Sequence, residues 1–137
     1  MHFVTENIWL VLTLMGAGYL LVWPPLSRKL AGIKEVGPAE ATQLINHQNA
    51  VVLDVREESE FQAGRIPKSK HIPLGALGKR LSELEKHKGR PVVVSCRSGA
   101  RSSRACGVLR KNGFEQVYNL AGGVIAWEQA NMPLEKR

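Results

Sequence analysis

The sequence has only two cysteines, Cys96 and Cys106, and neither lies in a Cys-x-x-Cys pair or in a spacing with histidine that suits a metal ion. So few cysteines rule out a scaffold held together by several disulfides. A disulfide or a metal pair between the two is disfavoured, and we expect no metal or other cofactor. Catalysis or plain burial is the more plausible use of each thiol.

The chain also lacks the features of a nucleic-acid binder. Lys and Arg outnumber Asp and Glu by 19 to 12, which gives a formal net charge of +7. The basic residues are nevertheless scattered, and no platform of interleaved aromatic and basic residues occurs. We therefore expect no nucleic-acid partner. With 137 residues and no internal repeat, the chain has room for one domain with a real core.

The first part of the chain is almost free of charge. No charged residue occurs from Ile8 to Trp23, a run slightly short of the roughly 20 apolar residues that cross a bilayer. Extension through Phe3 on one side and Leu26 on the other brings the run into range. We therefore predict an N-terminal transmembrane anchor over residues 1–27.

Two other interpretations of this apolar run fit less well. A buried core helix would show polar positions at helical spacing, and a cleaved signal peptide would begin with basic residues, whereas this run is preceded by Glu6. Basic residues follow the run instead, at Arg28, Lys29 and Lys34. This charge bias predicts a single-pass protein of the inner (cytoplasmic) membrane with its domain facing the cytoplasm.

The remaining sequence divides into a basic linker over residues 28–33, a domain over residues 34–133 and a C-terminal tail over residues 134–137. Within the domain, short β-branched runs alternate with helical patterns, which is typical of an α/β fold with a parallel sheet. Strands are predicted at Val51–Val55, His71–Pro73, Pro91–Ser95 and Gln116–Leu120. Helices are predicted from Pro38, over Glu57–Gly64, Ala76–His87 and Ala100–Asn112, and after Gly122-Gly123.

Cys96 lies directly after a predicted buried strand and directly before a predicted helix. In an open α/β sheet this is the carboxyl edge, where such folds bind their ligands. Backbone N–H groups from Arg97 to Arg101, the helix N-terminus and the two arginine side chains all favour a thiolate. The sequence therefore predicts Cys96 as a nucleophile with a pKa below its ordinary value.

The alternative for Cys96 is a small apolar residue of the core, which is the common use of a free cysteine. The Arg-Ser-Gly-x-Arg sequence that follows argues against it. Cys106 is the opposite case, because it shares a helix face with Ala105 and Leu109 and is predicted to be simply buried.

Four motifs, in this order and spacing, resemble the rhodanese-like sulfurtransferases. They are Val52-Leu53-Asp54-Val55-Arg56-Glu57, then Gly64-Arg65-Ile66-Pro67 with His71-Ile72-Pro73-Leu74, then Cys96-Arg97-Ser98-Gly99-Ala100-Arg101-Ser102, and Asn119-Leu120-Ala121-Gly122-Gly123 with Trp127. The resemblance covers residues 34–133. It implies a rhodanese-like five-stranded parallel sheet flanked by helices, here preceded by the predicted transmembrane helix.

The resemblance also implies a ping-pong reaction. Cys96 takes a sulfane sulfur from a small anionic donor such as thiosulfate, and a thiol, a protein or cyanide accepts it. The substrate-binding residues are then the rest of the loop, namely Arg97, Ser98, Gly99, Ala100 and Arg101. Asp54 and Arg56 are expected to have a structural role.

Two departures from the family pattern bear on substrate preference. Arg65 stands where the family commonly has His, and Lys68-Ser69-Lys70 looks like an insertion before His71. Neither lies in the cysteine loop, so we expect the type of reaction to be unaffected.

Two other functions remain open. One is a membrane-tethered rhodanese-like module that carries persulfide sulfur or binds a partner without turnover. The other, less favoured, is a cysteine phosphatase or arsenate reductase, which needs a C-x5-R loop. The spacing from Cys96 to Arg101 is C-x4-R.

Overall fold

The computed structural model describes residues 2–30 and 33–136, with side chains described for residues 2–23 and 33–136. The chain divides into two compact units, Met1–Ala31 and Gly32–Arg137. The first unit contains helix α1 (His2–Glu6) and helix α2 (Ile8–Leu30). Helix α2 carries exposed apolar side chains. Two of its rings, those of Tyr19 and Trp23, stack on each other with centroids 5.6 Å apart.

The predicted membrane anchor is wrong. None of the helices in the described ranges combines the length and the apolar character that crossing a membrane requires. The uncharged run Ile8–Trp23 rises only ~24 Å as a helix, against a hydrocarbon core of ~30 Å. Phe3 lies in α1, outside the helix that carries the run, and Pro24 and Pro25 follow it. The anchor over residues 1–27, the membrane as a partner and the single-pass location in the cytoplasmic membrane are therefore withdrawn.

The predicted linker over residues 28–33 is only partly described. Helix α2 continues to Leu30, so the first three linker residues are helical. Residues 31 and 32 lie outside the described residues. The next element, strand β1 (Lys34–Val36), was not expected from the sequence.

The second unit is built on a five-stranded sheet in which every neighbouring pair is parallel, which confirms the predicted fold class. The strands follow the order β1-β5-β4-β2-β3. Besides β1 they are β2 (Val51–Asp54), β3 (Lys70–His71), β4 (Val92–Ser95) and β5 (Val117–Leu120). Every residue of β2 and β4 is buried, as expected for strands covered on both faces.

Most predicted helices are present within a residue or two of their expected ends. They are α3 (Pro38–Gln48), α4 (Glu58–Ala63), α6 (Ala100–Lys111) and α7 (Gly123–Gln129). The exception is the helix predicted over Ala76–His87. The chain forms instead a single turn, α5 (Leu74–Leu77), and a separate 3₁₀ helix, Leu81–His87.

The leucine spacing that suggested one helix reflects burial rather than a continuous helix. Leu77 and Leu84 are both fully buried, although they lie in different elements. Gly78, Lys79 and Arg80 separate the two elements, and the glycine disfavours a continuous helix.

Alternate residues of the strands point to opposite faces of the sheet and build two apolar clusters. Leu53 and Val94 belong to a cluster that includes Cys96, Cys106 and Leu109. A second cluster contains Val52, Val93 and Trp127. Leu134, which belongs to the segment predicted as a tail, packs against this cluster. The Trp127 indole N–H donates to the Pro133 carbonyl at 2.9 Å. Arg65 and Glu135 exchange two backbone hydrogen bonds, of 2.9 and 2.7 Å, so the predicted tail pairs with the domain.

Candidate active site

Cys96 follows strand β4 directly, and the loop from Arg97 to Gly99 leads into α6. The loop turns at Gly99, whose φ of 107° lies in the left-handed region that side chains disfavour. The turn brings the backbone back over the cysteine. The Gly99 N–H donates to the Cys96 Sγ at 3.0 Å.

The sulfur is enclosed, since Cys96 is only 1% exposed. The Ser102 hydroxyl lies 3.4 Å from the Sγ and is itself fully buried. Burial raises the pKa of the Cys96 thiol, and hydrogen bonds from the Ser102 hydroxyl and from the backbone of Ser102, Gly99 and Ser98 lower it. The hydrogen bonds prevail, so the pKa lies below its ordinary value.

The start of the loop is held by the N-terminal end of α7. The Val124 N–H donates to the Cys96 carbonyl at 2.8 Å, and the Ile125 N–H to the Arg97 carbonyl at 3.2 Å. This approach requires glycine at position 123, where φ is 57° and a Cβ would lie 2.3 Å from the Cys96 carbonyl oxygen. Gly123 is therefore part of the architecture of the cysteine loop.

Arg101 does not point freely into the site. Its guanidinium donates to both carboxylate oxygens of Glu60 in helix α4, at 2.7 and 2.9 Å. Hydrogen bonding to Arg101 lowers the pKa of Glu60 to about 2. Arg101 also interacts electrostatically with Cys96. The pair thus ties the far end of the loop to α4 and leaves a positive charge near the sulfur.

Arg97 is the exposed cation of the loop. Among the residues that the structure describes, no hydrogen-bond or ion-pair partner of its side chain is found. Arg97 lines a cleft of about 280 Å³ beside the loop. The cleft combines charged and apolar residues, namely Arg56, Glu60, Ala63, Gly64, Arg97, Val124, Ile125, Glu128 and Leu134.

Asp54 and Arg56 form a buried ion pair behind this cleft. The Arg56 guanidinium donates to Asp54 at 2.7–3.0 Å and to the Gly64 carbonyl at 2.7 Å. A nitrogen of His71 lies 2.7 Å from the Arg56 carbonyl. These bonds join the end of β2 to the turn after α4, which agrees with the structural role expected for the pair.

Sequence reasoning gave no role to three polar residues of the site. Glu60 was not singled out, because nothing local joins it to Arg101, which lies 41 residues later. Ser102 and Asn119 stood inside the quoted motifs, yet only the fold shows that their side chains meet in the core. A polar residue in a largely apolar strand, such as Asn119 in β5, is the signal that would have indicated this contact.

Cys106 is fully buried, as predicted. Burial is the main cause that raises the pKa of its thiol to about 12, and the charge of Glu35 adds to the effect. Within residues 2–30 and 33–136, no group of three or more His, Cys, Asp or Glu side chains is placed to hold a metal ion.

The family model for the rhodanese-like domain matches residues 37–130, which is most of the second unit. The chain belongs to this family. It is 40% identical over 103 residues to the uncharacterized protein YibN of Escherichia coli. The aligned region spans 74% of this chain and 72% of YibN. It is 36% identical over 103 residues to a protein of Allochromatium vinosum named sulfurtransferase. This aligned region spans 74% of the present chain and 94% of the Allochromatium protein.

Solved structures agree with this assignment. A rhodanese-related protein from Thermoplasma volcanium superposes with a TM-score of 0.69 at 28% identity, covering 76% of this chain and 99% of that one. The rhodanese-like fold thus accounts for the second unit of the chain.

Proposed function

We propose that this rhodanese-like protein is a sulfurtransferase in which Cys96 carries the sulfur between two half-reactions. The observation that carries the proposal is the 3.0 Å hydrogen bond from the Gly99 N–H to a sulfur whose pKa is lowered by its surroundings. A thiolate, not a thiol, is the nucleophile in such chemistry.

In the first half-reaction, the Cys96 thiolate attacks the outer sulfur of a donor such as thiosulfate. A sulfur–sulfur bond forms to Cys96, the sulfur–sulfur bond of the donor breaks, and its electron pair leaves with sulfite. In the second, a thiolate or cyanide attacks the outer sulfur of the persulfide. The bond to Cys96 then breaks, and its electron pair restores the Cys96 thiolate.

The loop residues divide into two roles in this proposal. Arg97 is exposed on the cleft and has the charge to attract an anionic donor. Backbone N–H groups of Ser98, Gly99 and Ser102 hydrogen-bond to the sulfur and stabilise negative charge there. Arg101 is held by Glu60, so it positions the loop and contributes charge at a distance.

The same geometry disfavours a phosphatase or arsenate reductase. Such an enzyme needs an arginine that clasps a tetrahedral oxyanion with two parallel hydrogen bonds. Here the two terminal nitrogens of Arg101, which could make such a pair of hydrogen bonds, donate to the Glu60 carboxylate instead. The loop is also one residue shorter than the C-x5-R loop of those enzymes.

Steady-state transfer of sulfur from thiosulfate to cyanide tests the proposal, with thiocyanate as the measured product. The wild-type chain is expected to turn over, Cys96→Ser to be inactive and Cys106→Ser to keep most of the activity. Activity in Cys96→Ser would contradict the proposal. Sulfur loading on Cys96 without turnover would favour the alternative of a persulfide carrier.

A further inference from the structure

A continuous chain of side chains connects the catalytic sulfur to strand β1 at the edge of the sheet. The Ser102 hydroxyl lies 3.4 Å from the Cys96 Sγ and 2.5 Å from the Asn119 Oδ1. The Asn119 Nδ2 in turn donates to both carboxylate oxygens of Glu35, at 3.1 and 3.2 Å. Glu35 and Asn119 are direct neighbours in the register of β1 and β5.

The partners of Asn119 determine which way its amide faces. The Nδ2 lies close to the Glu35 carboxylate and 3.2 Å from the Gly99 carbonyl, and all of these oxygens only accept hydrogen bonds. The NH₂ group must therefore point to them. The Oδ1, which also only accepts, is left facing Ser102.

Ser102 has a single hydroxyl hydrogen and three acceptors that compete for it: the Asn119 Oδ1 at 2.5 Å, the Gly99 carbonyl at 3.1 Å and the Cys96 sulfur at 3.4 Å. Donation to Asn119 leaves an oxygen lone pair facing the sulfur, which suits a protonated thiol. Donation to the sulfur suits a thiolate or a persulfide, but it leaves the Ser102 and Asn119 oxygens 2.5 Å apart without a hydrogen between them. The short contact between the Ser102 and Asn119 oxygens therefore favours the first arrangement.

We propose that Glu35 is a positioning residue for the Cys96 sulfur: by helping to fix the Asn119 amide, it draws the Ser102 hydroxyl hydrogen towards Asn119 and so weakens the Ser102 hydrogen bond to the sulfur. Replacing the carboxylate with an amide leaves the Gly99 carbonyl as the one remaining group that only accepts from the Asn119 NH₂ group, so that Asn119 can rotate more readily and donate to the Ser102 oxygen. The Ser102 hydrogen is then free to donate to the thiolate. Glu35 thus restrains how strongly the site stabilises charge on sulfur.

Other charged or titratable groups lie near this chain. Lys34, Glu40 and His47 line a cleft together with Glu35. Cys96 interacts electrostatically with Arg101, whose charge is paired with Glu60, and with Cys106, the pKa of whose thiol is raised to about 12. The inference rests on the proposed use of a Cys96 thiolate, although its test does not depend on sulfur transfer.

The test is a double-mutant cycle read by the ionisation of Cys96 in the full chain. The ultraviolet absorbance of the thiolate is titrated in the wild type, Glu35→Gln, Ser102→Ala and the double variant, with Cys96→Ser subtracted as background. We expect Glu35→Gln to lower the pKa of Cys96 by about one unit, the effect of one hydrogen bond to a charged group. We expect Ser102→Ala to raise the pKa of Cys96 in the wild type, to raise it further in the Glu35→Gln protein, and so to abolish the shift between these two backgrounds.

A simple loss of negative charge would give a different pattern. Glu35→Gln would then lower the pKa by the same amount whether or not Ser102 is present, and additivity in the cycle overturns the proposal. An unchanged pKa in Glu35→Gln overturns it as well. Glu40→Gln, which removes an exposed carboxylate of α3, is the matched control and should leave the pKa unchanged.

A second measurement keeps the proposal testable if Ser102→Ala does not fold. The shift in Glu35→Gln is measured at low and at high salt, because screening weakens a long-range charge effect. A shift that persists in high salt supports a change in hydrogen bonding. A shift that disappears in high salt contradicts the proposal.

Discussion

Cys96 and Cys106 are ten residues apart and almost equally buried, at 1% and 0% exposure. Their surroundings nevertheless shift the pKa values of the two thiols in opposite directions. The pKa of Cys96 is lowered, whereas that of Cys106 is raised to about 12. Burial opposes ionisation at both sites. The difference comes from what each sulfur contacts once it is buried.

Cys96 ends a strand, so the loop that follows has backbone N–H groups to direct at it. Cys106 lies in the middle of α6, where backbone N–H groups are already bonded along the helix. The comparison shows that hydrogen-bond donors at a chain reversal lower the pKa of a buried thiol, whereas burial inside a helix raises it. The predictions below test this difference between the two cysteine sites, starting with the largest expected effect.

The rates at which the two cysteines react with iodoacetamide should differ most. The pKa of Cys106 is raised to about 12 and that of Cys96 is lowered, so a far larger fraction of Cys96 is thiolate at pH 7, and we expect Cys96 to react about a thousand times faster. Site-resolved mass spectrometry of one alkylated sample measures both rates. Comparable rates at the two positions would contradict the contrast.

Gly123→Ala should remove much of the contrast by displacing the loop. An added Cβ would lie 2.3 Å from the Cys96 carbonyl oxygen and 2.6 Å from the Arg97 carbonyl, so the backbone has to shift. We expect kcat/KM for thiosulfate to fall about a hundredfold, as for a displacement of about 1 Å in an active site.

Gly107→Ala is the matched control for this change. Gly107 lies inside α6, and an added Cβ there meets nothing within 4 Å. The substitution should keep activity and stabilise the fold by about 0.5–1 kcal/mol, since alanine is the better helix former. Equal losses of activity in the two alanine variants would show that the α7 contact does not shape the site.

How far the sequence predicts the molecule depends on how far apart the interacting residues are. The Cys96 loop is contiguous, so its strand, turn and helix could be inferred from neighbouring residues. The Glu60–Arg101 pair and the Asn119–Glu35 contact join distant segments, and no local pattern indicates them. The apolar run at the start was misjudged because the uncharged stretch that α2 carries, Ile8–Trp23, rises only ~24 Å and is too short to cross a bilayer.

The two arginines of the loop should respond differently to substitution. Arg97→Ala should lower kcat/KM for thiosulfate about tenfold, chiefly through KM, because one charge-assisted contact with the donor is lost. Arg101→Ala should slow alkylation of Cys96 as well, because it frees the end of the loop. Arg104→Ala, an exposed cation of α6, is the control. If Arg97→Ala leaves thiosulfate kinetics unchanged, the donor does not bind at Arg97.

The Glu60–Arg101 pair should give the smallest effect, on stability at acid pH. Its carboxyl has a pKa of about 2 in the folded protein, below its ordinary value of 4.5. The pair therefore stabilises the fold fully above about pH 4.5, and this contribution is lost as the pH falls from 4.5 towards 2.

Urea unfolding of the wild type and Glu60→Gln at several pH values measures this contribution. The difference between the two proteins should be present at neutral pH and should shrink on acidification through that window. A difference that stays constant with pH would show that ionised Glu60 does not stabilise the fold.

The central claim is that Cys96, and not Cys106, takes up sulfur. The most direct measurement is mass spectrometry of the intact chain and of its peptides after incubation with thiosulfate. The account predicts a gain of one sulfur atom on the peptide that contains Cys96, none on the peptide that contains Cys106, and loss of the added sulfur after cyanide. No gain on Cys96, or a gain on Cys106, would contradict it.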